Sequence, residues 1–278
     1  MRESGKIIKN QVKDFYNEEG WRPADGEFYA DTFHFEDLRR VTDTYRSKCH
    51  LRVKRHLKHE GKFLLDVGSG ALPYPEYHSY SEGYQYHLCG DLSFQALLEA
   101  KKNLGSKGAY VQCDITNLPY KSNSLDGFVS LHTIYHVPAE EQLHAFQELY
   151  RVLDHDSCGV IVYRWGKYSP MMLLLTPQVY LKKAINRLKI TISKNDTKQI
   201  QPKLYFYTHN YRWIIRNLSP TMSLKLFVWR SVSVPFLRSY IHERFWGKKI
   251  LSLIYAMEEK FPFLMGKIGE YPMFVIGK

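Results

Sequence analysis

Residues 63–77, FLLDVGSGALPYPEY, decide the fold of this chain. The short apolar run that closes on Asp66 is typical of a buried strand. The Val67-Gly68-Ser69-Gly70 segment that follows indicates a loop in which two glycines, lacking a Cβ, let a ligand approach the backbone. The loop is followed by Leu72-Pro73-Tyr74-Pro75, and the two prolines restrict how soon a helix can begin. We therefore expect the helix after this loop to be short or displaced.

The glycine loop favours one nucleotide cofactor over two others. A dinucleotide fingerprint that starts at Gly68 needs a third glycine at position 73, where this chain has Pro73. A phosphate-binding P-loop needs Gly-Lys-Ser/Thr, which does not follow. S-adenosylmethionine has no phosphate, so it does not need the positive end of a helix beside the loop. The exit through prolines is compatible with this cofactor and awkward for the other two.

Two further carboxylates stand where the next two predicted strands end. Asp91 lies 23 residues after Gly68, and a carboxylate there can accept hydrogen bonds from both ribose hydroxyls. Asp114 ends the third strand and can accept from an adenine amino group. Open α/β sheets bind ligands at the carboxyl ends of their strands, where these residues would meet. The alternative is that each aspartate only caps the following helix.

Strands and helices alternate along the middle of the chain, which predicts an α/β fold with a mostly parallel sheet covered on both faces. The predicted strands cover residues 63–67, 84–90, 109–113, 125–131, 159–165, 224–229 and 271–278. The predicted helices cover residues 36–60, 93–104, 140–153, 208–218 and 242–260.

The run LLDVGSG…GDLS…CDITNLPYKSNSLDGFVSLHTIYHV…ELYRVL resembles a class I S-adenosylmethionine-dependent methyltransferase. It is most similar to the broad group that includes quinone- and small-molecule-modifying enzymes. The resemblance covers about residues 60–165, and the terminal YPMFVIGK resembles the closing strand of that group. It implies a Rossmann-like sheet of seven strands with an antiparallel last strand, and S-adenosylmethionine as cofactor.

The resemblance also implies which residues bind the cofactor. Where the family has a third glycine in its loop, this chain has Leu72. The predicted cofactor-binding residues are Asp66, Gly68, Ser69 and Gly70 in the loop, Asp91 with Leu92 at the ribose, Asp114 and Ile115 at the adenine, and Leu131 and His132 on the far wall.

Three residues are candidates for chemistry at the acceptor. His132 and His136 follow the fourth predicted strand, and an ordinary histidine titrates near neutrality and can act as a base. Tyr16 belongs to an aromatic stretch with Trp21 and Tyr29 that could close over the cofactor as a lid. The alternative for all of them is packing or helix capping. The two histidines lack an identifiable third metal ligand, so we predict no metal site.

Four segments are predicted: an N-terminal lid (residues 1–60), a cofactor-binding core (61–166), an acceptor-site cap (167–207) and a C-terminal part that completes the core (208–278). In the cap, residues 171–175 (MMLLL) would form an apolar roof. Beside them a basic helix would carry Lys182, Lys183, Arg187 and Lys189. That helix could rest on an anionic membrane, bind an anionic substrate, or simply face water.

The chain of 278 residues has a net charge of +11, unevenly distributed. Residues 66–160 hold 12 acidic and 5 basic residues, and the rest of the chain holds 16 acidic and 34 basic residues. Basic ends of this kind indicate an anionic partner or a solvated basic face. The four cysteines form no metal or disulfide pattern, and the sequence has neither a secretory signal nor a bilayer-length apolar run. We therefore expect a cytoplasmic protein.

Three functions remain open from the sequence. The first is methylation of a small-molecule acceptor, such as a lipid-like, quinone-like or glycosylated molecule. The second is methylation of RNA, which the basic ends favour although no RNA-binding module has its own signature. The third is a module that binds the cofactor without catalysis and serves as a partner.

Overall fold

A seven-stranded sheet forms the centre of the computed structural model, which describes residues 2–24, 28–179, 181 and 204–278. The strand order is β3-β2-β1-β4-β5-β7-β6. The strands are β1 (Gly61–Val67), β2 (Tyr84–Asp91), β3 (Gly108–Gln112), β4 (Leu125–Leu131), β5 (Leu153–Val162), β6 (Ser223–Arg230) and β7 (Tyr271–Gly277).

Only β7 runs against the other strands in this sheet. It pairs antiparallel with both β5 and β6, whereas the pairs among β1 to β5 are all parallel. The predicted Rossmann-like fold with an antiparallel last strand is therefore confirmed. This topology brings the carboxyl ends of β1 to β6 and the start of β7 to one edge of the sheet, where such folds bind ligands.

Helices cover both faces of the sheet, as predicted. The central strands alternate their side chains between two cores: Leu64 and Val129 pack on one face, and Leu65 and Phe128 on the other. The helices are α1 (Arg2–Phe15), α2 (Ala30–Phe35), α3 (Asp43–Arg52), α4 (Pro75–His78), α5 (Phe94–Leu104), α6 (Gln142–Val152), α7 (Pro170–Leu175), α8 (Tyr211–Leu218), α9 (Val234–Tyr240), α10 (Gly247–Lys260) and α11 (Pro262–Ile268).

The exit of the glycine loop follows the prediction. The helix after the loop, α4, has only four residues and begins with Pro75. Leu72 adopts a left-handed backbone conformation with φ 53°. Glycine adopts this conformation at little cost and leucine does not. The Leu72 side chain is almost fully buried in the core, so its packing offsets the strain.

The predicted helix over residues 36–60 is wrong in length. Its first part is a turn in which the Thr42 hydroxyl donates to the carbonyls of Asp37 and Arg39. The Arg39 guanidinium binds the Asp37 carboxylate and holds the turn. Helical structure begins only at Asp43, and a 3-10 turn over Val53–His56 ends it. The last long helix is also shorter than predicted, because it begins at Gly247 after a left-handed residue, Trp246.

The cap segment is described in part. Its predicted basic residues Lys182, Lys183, Arg187 and Lys189 lie outside the described residues. Helix α7 contains the MMLLL run, in which Met172 is buried and accepts from Ser233 N, and Leu174 is 79% exposed. Among the described residues, no helix combines the length and the apolar character needed to cross a membrane.

Candidate functional site

A cavity of about 210 Å³ opens at the carboxyl edge of the sheet, under the N-terminal lid. A single water needs only about 10–15 Å³ by this measure, so the cavity has room for a ligand. Every predicted site residue except Gly70 lines it: Tyr16, Asp66, Gly68, Ser69, Asp91, Leu92, Asp114, Ile115, Leu131, His132 and His136. Residues 171–175, predicted to roof the acceptor site, do not line it, whereas Phe206 from the same segment does.

The two loop glycines are needed for close packing as well as for backbone conformation. Gly68 and Gly70 have φ of 67° and 58°, in the left-handed region that favours glycine. A Cβ at Gly68 would overlap the Thr133 side chain, and a Cβ at Gly70 would overlap the Trp21 indole. The lid therefore lies directly on the loop. Gly70 is set back from the cavity, and its N–H supports Asp91 instead.

Asp91 is held in place by the backbone around it. Its Oδ2 accepts from Gly70 N at 3.0 Å and its Oδ1 from Ser93 N at 2.8 Å. Ser93 in turn caps α5, where its hydroxyl accepts from Ala96 N. Burial raises the pKa of the Asp91 carboxyl to about 6. A fixed carboxylate at the cavity wall, next to a loop with two glycines, fits the ribose of an adenosyl cofactor.

Asp114 already has partners from the chain itself. Lys9 of α1 donates to Asp114 Oδ2 at 2.7 Å, and Thr116 donates to Oδ1 from its N and its Oγ1, both at 2.9 Å. Lys9 also pairs with Glu141. An adenine amino group at Asp114, as predicted, would share this carboxylate with the lid.

His132 and His136 do not titrate near neutrality, so that expectation is wrong. Burial lowers the pKa of His136 to about 4, and burial and the Arg230 guanidinium lower that of His132 well below its usual range. Both imidazoles are therefore neutral at physiological pH. His136 Nδ1 donates to the Tyr205 carbonyl at 2.8 Å, which leaves Nε2 with its lone pair. His132 Nδ1 is buried and has no hydrogen-bond partner among the described residues.

Tyr16 lies in the cavity wall as the lid prediction required. Its ring stacks on Trp21 at 5.8 Å and meets His136 edge-on at 6.0 Å, measured between ring centroids. Burial raises the pKa of the Tyr16 phenol well above its usual range. The hydroxyl is therefore neutral and can donate a hydrogen bond. Tyr29 does not line the cavity, and its hydroxyl donates to Glu99 at 3.3 Å.

A carboxyl group that the sequence reasoning missed lies in the lid. Asp31, in α2, lines the cavity, and its Oδ1 is buried without a hydrogen-bond partner in the described part of the chain. Burial raises the pKa of Asp31 to about 7. No sequence motif surrounds this residue, so only its placement against the cavity could reveal it.

The wall opposite the glycine loop carries two arginines, also missed. Arg164 follows β5 and Arg230 ends β6, and both line the cavity. Each forms an ion pair inside the protein, Arg164 with Glu270 and Arg230 with Glu36. Both arginines stay charged at every physiological pH.

The amino-acid sequence of this chain is similar to those of known methyltransferases. Residues 65–161 match the sequence family described as "Methyltransferase domain". A "Probable tRNA methyltransferase 9B" from Mus musculus is 28% identical over 124 residues, which are 44% of this chain and 26% of that protein. The chain thus spans about a quarter of the length of this curated relative.

Two solved structures share the fold over nearly the whole chain. Haemonchus contortus phosphoethanolamine N-methyltransferase 1, in complex with phosphoethanolamine and S-adenosylhomocysteine, has a TM-score of 0.57 at 14% identity and covers 98% of this chain and 50% of its own. Geranyl diphosphate C-methyltransferase from Streptomyces coelicolor A3(2) has a TM-score of 0.56 at 11% identity and covers 97% of each chain.

Residues 65–161 therefore match a methyltransferase domain, and the chain shares its fold with the two solved methyltransferases. The predicted resemblance, enzyme class and cofactor are confirmed at this level. The roles of individual site residues stay predictions, and the acceptor is a matter for proposal.

The protonation of Asp91 leads to the first testable prediction. Only the ionised carboxylate accepts from both ribose hydroxyls, and its pKa lies at about 6. We expect the affinity for S-adenosylhomocysteine to be constant above about pH 6 and to fall up to about tenfold per pH unit below it. Isothermal titration calorimetry between pH 4.5 and 8 measures this dependence. An affinity unchanged down to pH 5 would contradict the assignment of Asp91 to the ribose.

Proposed function

We propose that this protein transfers a methyl group from S-adenosylmethionine to a small-molecule acceptor bound under the N-terminal lid. The observation that carries this proposal is that one cavity joins two unlike regions. At β1, β2 and β3 it is walled by the glycine loop, Asp91 and Asp114. Beyond β4 it continues between lid side chains and residues that follow β5, end β6 and begin β7.

The second region has the character of a small-molecule chamber. Aromatic side chains dominate it: Tyr16, Trp21, Phe35, Tyr74, Tyr135, Phe206 and Tyr271 line the cavity. A largely apolar pocket with a few polar groups is typical of small-molecule sites. The fold similarity to enzymes whose structures hold phosphoethanolamine or geranyl diphosphate agrees with an acceptor of this size.

The segments of the chain take different parts in this proposal. Residues 1–60 form the lid, residues 61–166 the cofactor core, residues 167–207 a cap and residues 208–278 the completing part of the sheet. Lid residues support the first assignment, because Lys9, Tyr16, Trp21 and Asp31 all line the cavity.

The cofactor, when bound, supplies an already activated methyl group for an in-line displacement. The chain must then align the acceptor, exclude water and remove the proton that a hydroxyl or ammonium acceptor loses. Of the candidates, Asp31 has a pKa suited to this task, about 7. His136, with a pKa of about 4, is a much weaker base, and the neutral Tyr16 phenol is suited to orienting the acceptor. We therefore propose that the Asp31 carboxylate accepts the proton that the acceptor loses.

RNA is the second candidate acceptor. It is favoured by the relative named as a probable tRNA methyltransferase and by the basic ends of the chain. An RNA enzyme of this kind would have to turn a base out of its stack to reach the enclosed cavity. Binding would also weaken steeply with salt, since basic side chains would replace counterions on the phosphates.

Labelled methyl transfer separates these functions. The protein is incubated with S-adenosylmethionine labelled in its methyl group and with lipids, small metabolites or RNA fractionated from cells. We expect label in the lipid or small-metabolite fraction. Label in RNA would support the second candidate instead. No label in any fraction, with S-adenosylhomocysteine binding intact, would identify a binding module without catalysis.

A further inference from the structure

We propose that the acceptor carries an oxyanion, a carboxylate or a phosphate, which is bound by Arg230 and Arg164. This inference rests on the proposed function and specifies its substrate class. It starts from side chains at the far wall of the cavity, away from Asp91 and Asp114, which are predicted to bind the ribose and the adenine.

Arg230 is a buried cation with unused donors. The residue is 1% exposed and lines the cavity. Its Nη1 donates to Glu36 Oε1, while its Nε is buried without a hydrogen-bond partner among the described residues. A guanidinium has five N–H donors, and a buried donor left unpaired is costly. An oxyanion from the cavity would supply the missing acceptor.

The two arginines converge on one ring. The Cζ of Arg230 lies 4.8 Å from the ring centroid of Tyr271, and that of Arg164 lies 5.7 Å from it. The His132 ring meets the same Tyr271 ring at 5.3 Å. All four residues line the cavity. Each planar guanidinium presents a fork of N–H donors, the arrangement that carboxylates and phosphates bind.

The position in the sheet assigns this group to the acceptor. Arg164 follows β5, Arg230 is the last residue of β6, and Tyr271 is the first residue of β7. The predicted cofactor residues Asp91 and Asp114 end or follow β2 and β3, on the other side of β1 and β4 in the strand order. An anion held by the arginines would therefore face the cofactor from the opposite side of the cavity.

The carboxylates near the arginines do not use up their donors. Glu270 binds Arg164 through Nε, and Glu36 binds Arg230 through Nη1. Within the described ranges, the other N–H groups of each guanidinium have no acceptor and are available to a ligand. The opposite reading is a cationic acceptor, attracted by the lid carboxylates Asp31 and Glu36, and the experiment separates it from the oxyanion.

The test titrates simple probes into the full chain saturated with S-adenosylhomocysteine. Inorganic phosphate, benzoate and benzylamine represent a tetrahedral anion, a planar anion and a cation, and binding is followed by calorimetry. We expect at least one anion to bind, and its preference distinguishes phosphate from carboxylate acceptors. R230Q should weaken that binding about ten- to a hundredfold, because a charge-assisted contact is lost.

Two further variants keep the test decisive. R164Q leaves the Arg230–Glu36 pair intact and should weaken anion binding even if R230Q is unstable. R46Q is the control, because Arg46 pairs with Asp43 outside the cavity. Binding of benzylamine but of neither anion, or anion affinities unchanged in both R230Q and R164Q, would overturn the proposal. Failure of the unmodified protein to bind S-adenosylhomocysteine would instead contradict the proposed function.

Discussion

Replacing Asp91 with alanine is expected to weaken S-adenosylhomocysteine binding about 1,000-fold. Each charge-assisted hydrogen bond from a ribose hydroxyl is worth roughly 1.5–3 kcal/mol, and the carboxylate can accept two of them. The change also removes the acceptors that hold Gly70 N and Ser93 N, so the glycine loop and the start of α5 lose a shared support. Calorimetry at pH 7.5, where the carboxylate is ionised, measures the loss.

Asp126→Ala is the matched control for this variant. Asp126 also accepts from two backbone N–H groups, those of Lys62 and Phe63 at 3.0 and 2.9 Å, but it lies at the opposite end of β1 from the glycine loop. We expect it to cost stability and leave the affinity for S-adenosylhomocysteine within about threefold of the unmodified protein. If both variants bound equally well, the ribose would have to lie elsewhere.

The sheet and its ligand-binding edge could be predicted because they depend on local sequence. Parallel strands covered on both faces need nearly continuous apolar runs, and FLLDV, YHLCG and FVSL come close to this pattern. A residue at the carboxyl end of such a strand then lies at the ligand-binding edge of the sheet. Asp66, Asp91 and Asp114 were therefore expected at one cavity, and all three line it.

The contacts that the lid makes at the cavity could not be predicted, because they join residues distant in sequence. Lys9 reaches Asp114 across 105 positions, and Arg230 pairs with Glu36 across 194. No periodicity or motif records such pairs. The same limit explains the error on the histidines, since the pKa of His136 follows from burial by surrounding elements.

Leu72 shows a subtler limit. The family has glycine at this position of the loop, and a leucine there does not indicate a left-handed backbone conformation. The structure shows leucine in that conformation with its side chain in the core. The family's glycine position thus predicts the left-handed backbone conformation even where the residue is leucine. Packing of the leucine side chain can offset roughly 1 kcal/mol of backbone strain.

Asp31→Asn is expected to lower the rate of methyl transfer about 100- to 10,000-fold, the usual range for a lost general base. The amide keeps the shape of the carboxyl but cannot accept the acceptor's proton. The rate is measured in a single turnover with the fraction that takes up label, and cofactor affinity is measured alongside. Asp43→Asn is the control, because Asp43 is a half-exposed carboxylate that pairs with Arg46 outside the cavity.

The pH profile distinguishes a base from a residue that only supports the lid. Since the pKa of Asp31 is about 7, the rate should rise about tenfold per pH unit below 7 and level off above it. Asp31→Asn should lose this slope. A variant that keeps both the original rate and the original slope would exclude Asp31 as the base.

Stability should change in the opposite direction to activity in this variant. The folded-state pKa of Asp31 is raised above its ordinary value of 3.8, so the folded protein holds a proton that the unfolded chain releases between about pH 4 and 7. Its contribution to stability therefore falls as the pH rises through that window. At pH 8 Asp31→Asn should be more stable than the unmodified protein by about 2 kcal/mol, less than the full shift implies because the carboxyl is partly open to the cavity. A variant that unfolds at higher urea concentration yet transfers methyl groups far more slowly would show that the lid carboxyl is retained for chemistry rather than for folding.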